Sequence, residues 1–302
     1  VDAVIEQMTL REPSEIDGEP MESLASCLRG MLIASEGHRL IVSDYSSIEA
    51  RVLSWLADHE DALDIFRDNK DIYKFTAAEM YGIAYSDVDY DQRFVGKVAT
   101  LALGYQGGVR AFQKMSEAYG TEVSEEQALR IRNDWRDAND PIVKLWLGVE
   151  KQARNAVSYA GEYHCAKGVF RMVKGDLLFK LPSGRLLSFP EAKLQKGDRG
   201  MDLVYSGMNN HTHKWGQIKA YGGSLVQSIT QAVARDILAE AILRLEAKGY
   251  PIVLHVHDEI VADVADPVGT LSEFEAEMCR LPQWAKGLPV TAEGYESQRY
   301  RK

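Results

Sequence analysis

The chain has 302 residues, 45% of them hydrophobic and 26% charged, and carries a net charge of −10. This is the composition of an ordinary soluble globular chain, long enough for one large domain or two intertwined subdomains. No apolar run approaches the ~20 residues of a membrane span, and no secretory signal opens the sequence. Three scattered cysteines, Cys27, Cys165 and Cys279, argue against a disulfide framework and for a reducing, cytoplasmic compartment. The acidic balance speaks against a simple nucleic-acid-binding surface, although a metal site built from carboxylates would itself add negative charge.

The sequence opens on Val1 rather than methionine, which reads as a fragment or processed product, and residues 1 to 30, with "REPSEIDGEP", read as loop. A strand is predicted at "RLIVSDY", residues 39–45. It runs into a helix in which Ile48, Val52, Leu53, Leu56 and Ala57 recur at helical spacing. Helices dominate from Ala62 to about Val157, with Asp71 and either Asp89 or Asp91 as N-caps and a capping box opening at Ser124. From Gly161 to Tyr205 short strands are predicted, including a hairpin about Pro182-Ser183-Gly184. A long helix follows over roughly 223–248, and then the apolar run "IVLHVHDEIVADV", residues 252–264. The expected fold class is α+β, an antiparallel sheet carrying the 39–45 strand and the 252–264 hairpin with a helical insertion between them. "RYRK" at the end reads as a short basic tail.

That late run poses the central question, because His257, Asp258 and Glu259 interrupt strand-forming Ile and Val on both sides. A buried carboxylate is costly unless it is paired or metal-bound, while a solvated hairpin turn would carry the triplet at no cost. Asp44 is ambiguous in the same way, since it ends an apolar strand just before a helix and would serve the helix dipole. If the two strands are neighbours, however, Asp44 and Asp258 share one edge, and two anions ~4 Å apart repel by ~4 kcal/mol at an effective dielectric near 20. Hard oxygen ligands of this kind suit Mg²⁺. Arg93, Lys97, Leu101 and Tyr105 recur every four residues, so the spacing predicts one helix side carrying two cations. That face is either a solvated basic stripe or a seat for a triphosphate. "GYQGG" lacks the Gly-Lys-Ser/Thr ending of a P-loop and reads as a helix stop with turn glycines.

"SDYSSIEARVL", "RFVGKVATLALGY" and "VHDEI" resemble motifs A, B and C of family A DNA polymerases, in the family's order. The resemblance runs from about Met21 to the end, and the wording is closest to bacteriophage and prophage members. It implies a right-hand polymerase fold, with residues 1–60 and 161–302 as two parts of the palm, 61–160 as helical fingers, and no room for a thumb. The activity it implies is template-directed addition of deoxynucleotides to a primer 3′-hydroxyl in replication or repair. Asp44 and Asp258 would hold two Mg²⁺ ions, with Mn²⁺ able to substitute, and Glu259 would support the metal site. Arg93 and Lys97 would grip the triphosphate, Tyr105 would lie by the nascent base pair, and Glu49 would crowd a ribose 2′-hydroxyl. Gln231, Gln227, His257 and Arg51 would contact DNA. The implied partners are primer-template DNA, deoxynucleoside triphosphates and other replisome proteins, in a bacterial or phage-infected cell, with no membrane.

Leu101 stands where the family commonly has an aromatic residue, and Gln106 follows Tyr105 where many members have glycine. Glu49 argues against a single-subunit RNA polymerase, and the carboxylate pair against a silent DNA-binding module. His211 and His213, or His255 and His257, have spacings that suit a metal, but without cysteine companions they read as surface or packing. The five tryptophans read mostly as core rather than base-stacking platforms.

Overall fold

The computed structural model describes residues 28–197, 200–209 and 212–301. Most of the opening loop, Cys27, His211 and Lys302 lie outside the described residues. The chain divides into two compact units, Val1–Ser46 with Ile237–Leu281 and Val290–Lys302, and Ser47–Asp236 with Pro282–Pro289.

The first unit is built on a four-stranded antiparallel sheet. Its strands β1 (His38–Tyr45), β9 (Ile252–Val256), β10 (Glu259–Ala265) and β11 (Ala292–Ser297) stand in the order β11-β1-β10-β9. The apolar run of β1 is explained by its central place, since Leu40 to Ser43 are all buried. Val42 faces Val261 in the β1–β10 register, and Leu40, Val42 and Val261 pack with Tyr300. Strand β9 is one of the sheet's two edges, and it alternates between half-buried and exposed residues. Helix α9 (Leu271–Met278) opens with a Thr270–Glu273 capping box and packs against β1 and β11; the buried Tyr45 hydroxyl donates to the Met278 carbonyl at 2.7 Å.

The second unit begins with helices α1 (Ile48–Leu56), α2 (Glu60–Arg67), α3 (Ile72–Tyr81), α4 (Tyr90–Leu103), α5 (Val109–Ala118), α6 (Glu125–Ala138) and α7 (Asp140–Ser158). The predicted caps form: Asp71 accepts from the Tyr73 and Lys74 amides, and Asp89 and Ser124 each build a capping box. Gly96 lets α4 lie directly against α3, since a Cβ there would stand 2.2 Å from the Tyr73 carbonyl oxygen. Trp135 and Trp146 stack in the core with ring centroids 5.9 Å apart.

Two small antiparallel sheets follow. The first comprises β2 (Tyr163–Cys165), β3 (Gly168–Val173), β4 (Asp176–Lys180) and β5 (Leu186–Phe189), and the second β6 (Lys193–Gly197), β7 (Gly200–Met208) and β8 (Trp215–Ala220). The predicted hairpin about residues 182–184 is the β4–β5 turn. Its Ser183 and Arg185 side chains fasten onto Asp236, each at 2.5 Å, on the long helix α8 (Gly222–Ala247).

The α+β expectation therefore describes this mixture of helices and antiparallel sheets. Strands β8 and β11 and helix α9 go beyond the sequence reading, and two expectations need correction. Trp215 is 65% exposed rather than core, whereas Trp55, Trp135 and Trp146 are buried. The C-terminal "RYRK" is more than a solubilising tail, because Tyr300 inserts into the β1–β10 face and is 2% exposed.

Candidate active site

Two groups of residues carry the chemistry that the sequence singles out, one in each unit. In the first unit Asp44, next to last on β1, faces Glu259 at the start of β10. His257 and Asp258 form the two-residue turn between β9 and β10, and His257 adopts the left-handed region at φ 54°. A positive φ at the first turn position matches the twist that tight hairpins require. The Tyr45 amide donates to the Asp258 carbonyl at 3.2 Å, which anchors the turn beside the end of β1. Backbone pairing thus brings Asp44 and Asp258 to the same end of adjacent strands. Both are half-buried, and His257 is exposed. Asp44 lies outside the first turn of α1, where Glu49 is the acidic residue, so the helix-dipole reading applies to Glu49 instead.

Glu259 is 2% exposed and accepts a hydrogen bond from the Tyr300 hydroxyl. Burial, and then the Glu259 carboxylate, push the Tyr300 phenol up to about 12. Sequence reasoning missed Tyr300, because a lone tyrosine among terminal arginines carries no periodic signal. No group of three or more His, Cys, Asp or Glu side chains among the described residues is arranged to hold a metal ion. The fit to Mg²⁺ is nevertheless chemically sound: Mg²⁺ commonly takes one or two protein carboxylates and completes its shell with water and substrate phosphates.

In the second unit Glu49, Tyr105 and Gln231 form one hydrogen-bonded cluster. The Tyr105 hydroxyl donates to Glu49 Oε2 at 2.8 Å, and Gln231 Nε2 donates to Glu49 Oε1 at 3.2 Å. Burial raises the Tyr105 phenol far above its ordinary range, and the negative charge of Glu49 adds to the effect. Gln227 lies one turn before Gln231 on α8, exposed on the same side.

Arg93, Lys97 and Leu101 project from α4, but Tyr105 lies beyond the helix, which ends at Leu103. The expectation of one four-residue ladder through Tyr105 is corrected accordingly. Arg93 pairs with Asp71 at 2.5 Å and sits 5.7 Å from the Tyr73 ring centroid, while Lys97 Nζ is 5.1 Å from that of Tyr119. Asp71 caps α3 and braces Arg93 at once. Leu101 is exposed. Arg51 stands apart from this group: it is 6% exposed, lies 4.5 Å over the Phe66 ring and donates to the Pro289 carbonyl at 3.2 Å. That burial gives Arg51 a packing role in place of the expected DNA contact.

Comparison with known proteins defines the class first. Over 94% of its length the chain superposes on the structure described as "POL domain of Pol1 from M. smegmatis complex with DNA primer-template and dNTP", covering 43% of that chain with a TM-score of 0.63. At 18% identity this establishes a shared fold. Residues 18–164 match the model of DNA polymerase family A, and the chain belongs to that family. It is 41% identical over 284 residues to the DNA polymerase of Bacillus phage SP02, covering 92% of this chain and 44% of the phage protein. Against DNA polymerase I of Pseudomonas aeruginosa it is 27% identical over 245 residues, covering 79% of this chain and 22% of that enzyme. The chain thus spans less than half the length of these relatives.

Proposed function

We propose that this chain is the catalytic region of a template-directed DNA polymerase, adding deoxynucleotides to a primer 3′-hydroxyl. In this reading residues 1–60 and 161–302 contribute the palm and 61–160 the fingers. The reading is carried by one observation, the backbone pairing that sets Asp44 and Asp258 at the same end of β1 and β10. The name of the phage relative and the primer-template and dNTP in the neighbouring structure's description agree with it.

Asp44 and Asp258 would hold two Mg²⁺ ions, with Glu259 supporting the turn from its buried site. Bound there, the metal would supply activation of the primer hydroxyl and neutralisation of charge on the triphosphate. Arg93 and Lys97 would bind the triphosphate, which Arg93 can do by exchanging its Asp71 partner. A partly exposed ion pair of that kind is worth only about 0–1 kcal/mol, so phosphate oxygens compete well. Glu49, braced by Tyr105 and Gln231, would exclude a ribose 2′-hydroxyl. Gln227, Gln231 and His257 would lie along the primer end, and replisome proteins would be further partners. No helix among the described residues is long and apolar enough to cross a membrane.

Primer extension on a recessed primer-template tests the proposal. Extension with deoxynucleotides that requires Mg²⁺ and follows the template is expected. Salt-sensitive DNA binding with no synthesis would overturn it in favour of a silent binding module.

A further inference from the structure

We propose that Gln106 is a positioning residue, whose side-chain amide ties the backbone after Tyr105 to the first turn of α8 and so sets where the Tyr105 phenol stands. The inference rests on the role proposed above for Glu49 and on the place by the nascent base pair that the family resemblance implies for Tyr105. Gln106 adopts the left-handed region at φ 64°, while the neighbouring Gly107 and Gly108 do not. A side chain in that region costs roughly 1–2 kcal/mol, so some other interaction must hold it there. Its Oε1 accepts the Gly223 amide at 2.8 Å, and Glu150 Oε2 accepts the Gly222 amide at 2.9 Å. Two side chains from elsewhere in the fold thus satisfy amides that the start of a helix leaves without an intrahelical partner.

The contact is close as well as polar. A Cβ on Gly223 would stand 2.2 Å from the Tyr105 carbonyl oxygen and 2.5 Å from the Gln106 Cβ. The two backbones therefore touch, and Tyr105 cannot shift without disturbing α8. From the other side the Tyr105 hydroxyl is held by Glu49, which is held in turn by Gln231 on the same helix. Tyr105, Gln106, Gly223, Gln231 and Glu49 close a ring in which α8 is the rigid member, spanning about 12 Å between Gly223 and Gln231. Glutamine suits the task because it supplies a neutral acceptor that reaches the helix end. Glutamate would keep the acceptor and add a charge that the helix N-terminus favours.

The test compares wild type, Gln106→Gly, Gln106→Glu, Tyr105→Phe and the Gln106→Gly/Tyr105→Phe double variant. Glycine removes the acceptor but also the backbone strain, so stability and positioning separate in that variant. The measurements are hydrogen exchange of the Gly223 amide and the ratio of kcat/KM for matched over mismatched deoxynucleotides in primer extension. Gln106→Gly is expected to speed Gly223 exchange and to lower the ratio about two- to tenfold, the scale of one neutral hydrogen bond. The loss should fall mainly in KM and be largely absent once Tyr105 is phenylalanine, and Gln106→Glu should retain wild-type behaviour. Unchanged Gly223 exchange in Gln106→Gly, an unchanged ratio, or losses that multiply independently in the double variant would overturn the proposal. A wild-type chain that extends no primer refutes the function proposed above, and Gly223 exchange then decides the Gln106 tether by itself.

Discussion

The Asp44–Asp258 end of the first unit and the Glu49 cluster of the second are positioned by opposite means. Strand pairing places the two aspartates: Asp44 is fixed by the β1–β10 register and Asp258 by a tight turn bonded to the Tyr45 amide. The core beneath them is built on Leu40, Val42 and Val261 and includes the buried Glu259–Tyr300 pair. Glu49 is exposed and depends on two side-chain hydrogen bonds, from Tyr105 and from Gln231, 56 and 182 residues away in sequence. A carboxylate fixed by backbone keeps its place when charge gathers around it, as binding a metal demands. One fixed by side chains can be re-aimed by a single substitution, which suits a residue that selects among substrates.

The largest expected effect lies in the first region. Asp44→Asn or Asp258→Asn should lower the rate of synthesis on the order of 10³-fold or more, because on the proposed reading each would remove a metal ligand worth several kcal/mol of charge stabilisation. Thermal unfolding should remain near wild type, since strand pairing places these side chains, and a large loss of stability would assign them a structural role instead. In the second region Glu49→Ala should raise ribonucleotide use relative to deoxynucleotide about 10- to 100-fold, the range over which one pocket contact separates close substrates. Paired kcat/KM measurements for the two sugars check this, and an unchanged ratio removes Glu49 from sugar selection. Gln231→Ala should shift the same ratio less, about two- to tenfold, since it removes one of Glu49's two braces. A shift equal to that of Glu49→Ala would make Gln231 the dominant brace.

A further effect, read as stability rather than as rate, concerns the support beneath the aspartates. Tyr300→Phe should cost about 1–3 kcal/mol of stability by depriving the buried Glu259 of a donor, measured by denaturant unfolding. The pH dependence follows from the raised phenol. A group whose pKa rises on folding is stabilised in its protonated form, so the contribution is complete below the ordinary phenol value of about 10. It fades as pH climbs through about 12. Wild type should therefore lose more stability than Tyr300→Phe across that interval, and parallel curves would exclude the Tyr300–Glu259 bond as the source.

Much of the fold was legible because it rests on short-range rules. The β1 and β10 runs, the Asp71, Asp89 and Ser124 caps and the β4–β5 turn all follow from alternation, capping chemistry and turn residues. The aspartates were legible for the same reason, since each ends or interrupts an apolar strand. What escaped depends on distant partners. The end of α4 before Tyr105 goes with a glutamine in the left-handed region, which no helix propensity signals. Tyr300 acquires its role from Glu259, 41 residues earlier, and Arg93 its brace from Asp71. Arg51 did leave a signal: it lies three residues after Ile48 and four before Trp55, both buried, so helical spacing already put it on the inner face.

The most direct test of the contrast places Asp258→Asn beside Glu49→Ala in one primer-extension assay with Mg²⁺, offering deoxynucleotides and ribonucleotides separately. Asp258→Asn should abolish extension with both sugars, while Glu49→Ala should go on extending and relax its preference for deoxyribose. Extension by Asp258→Asn at near the wild-type rate, or an unaltered sugar preference in Glu49→Ala, would contradict the division of labour between the two regions.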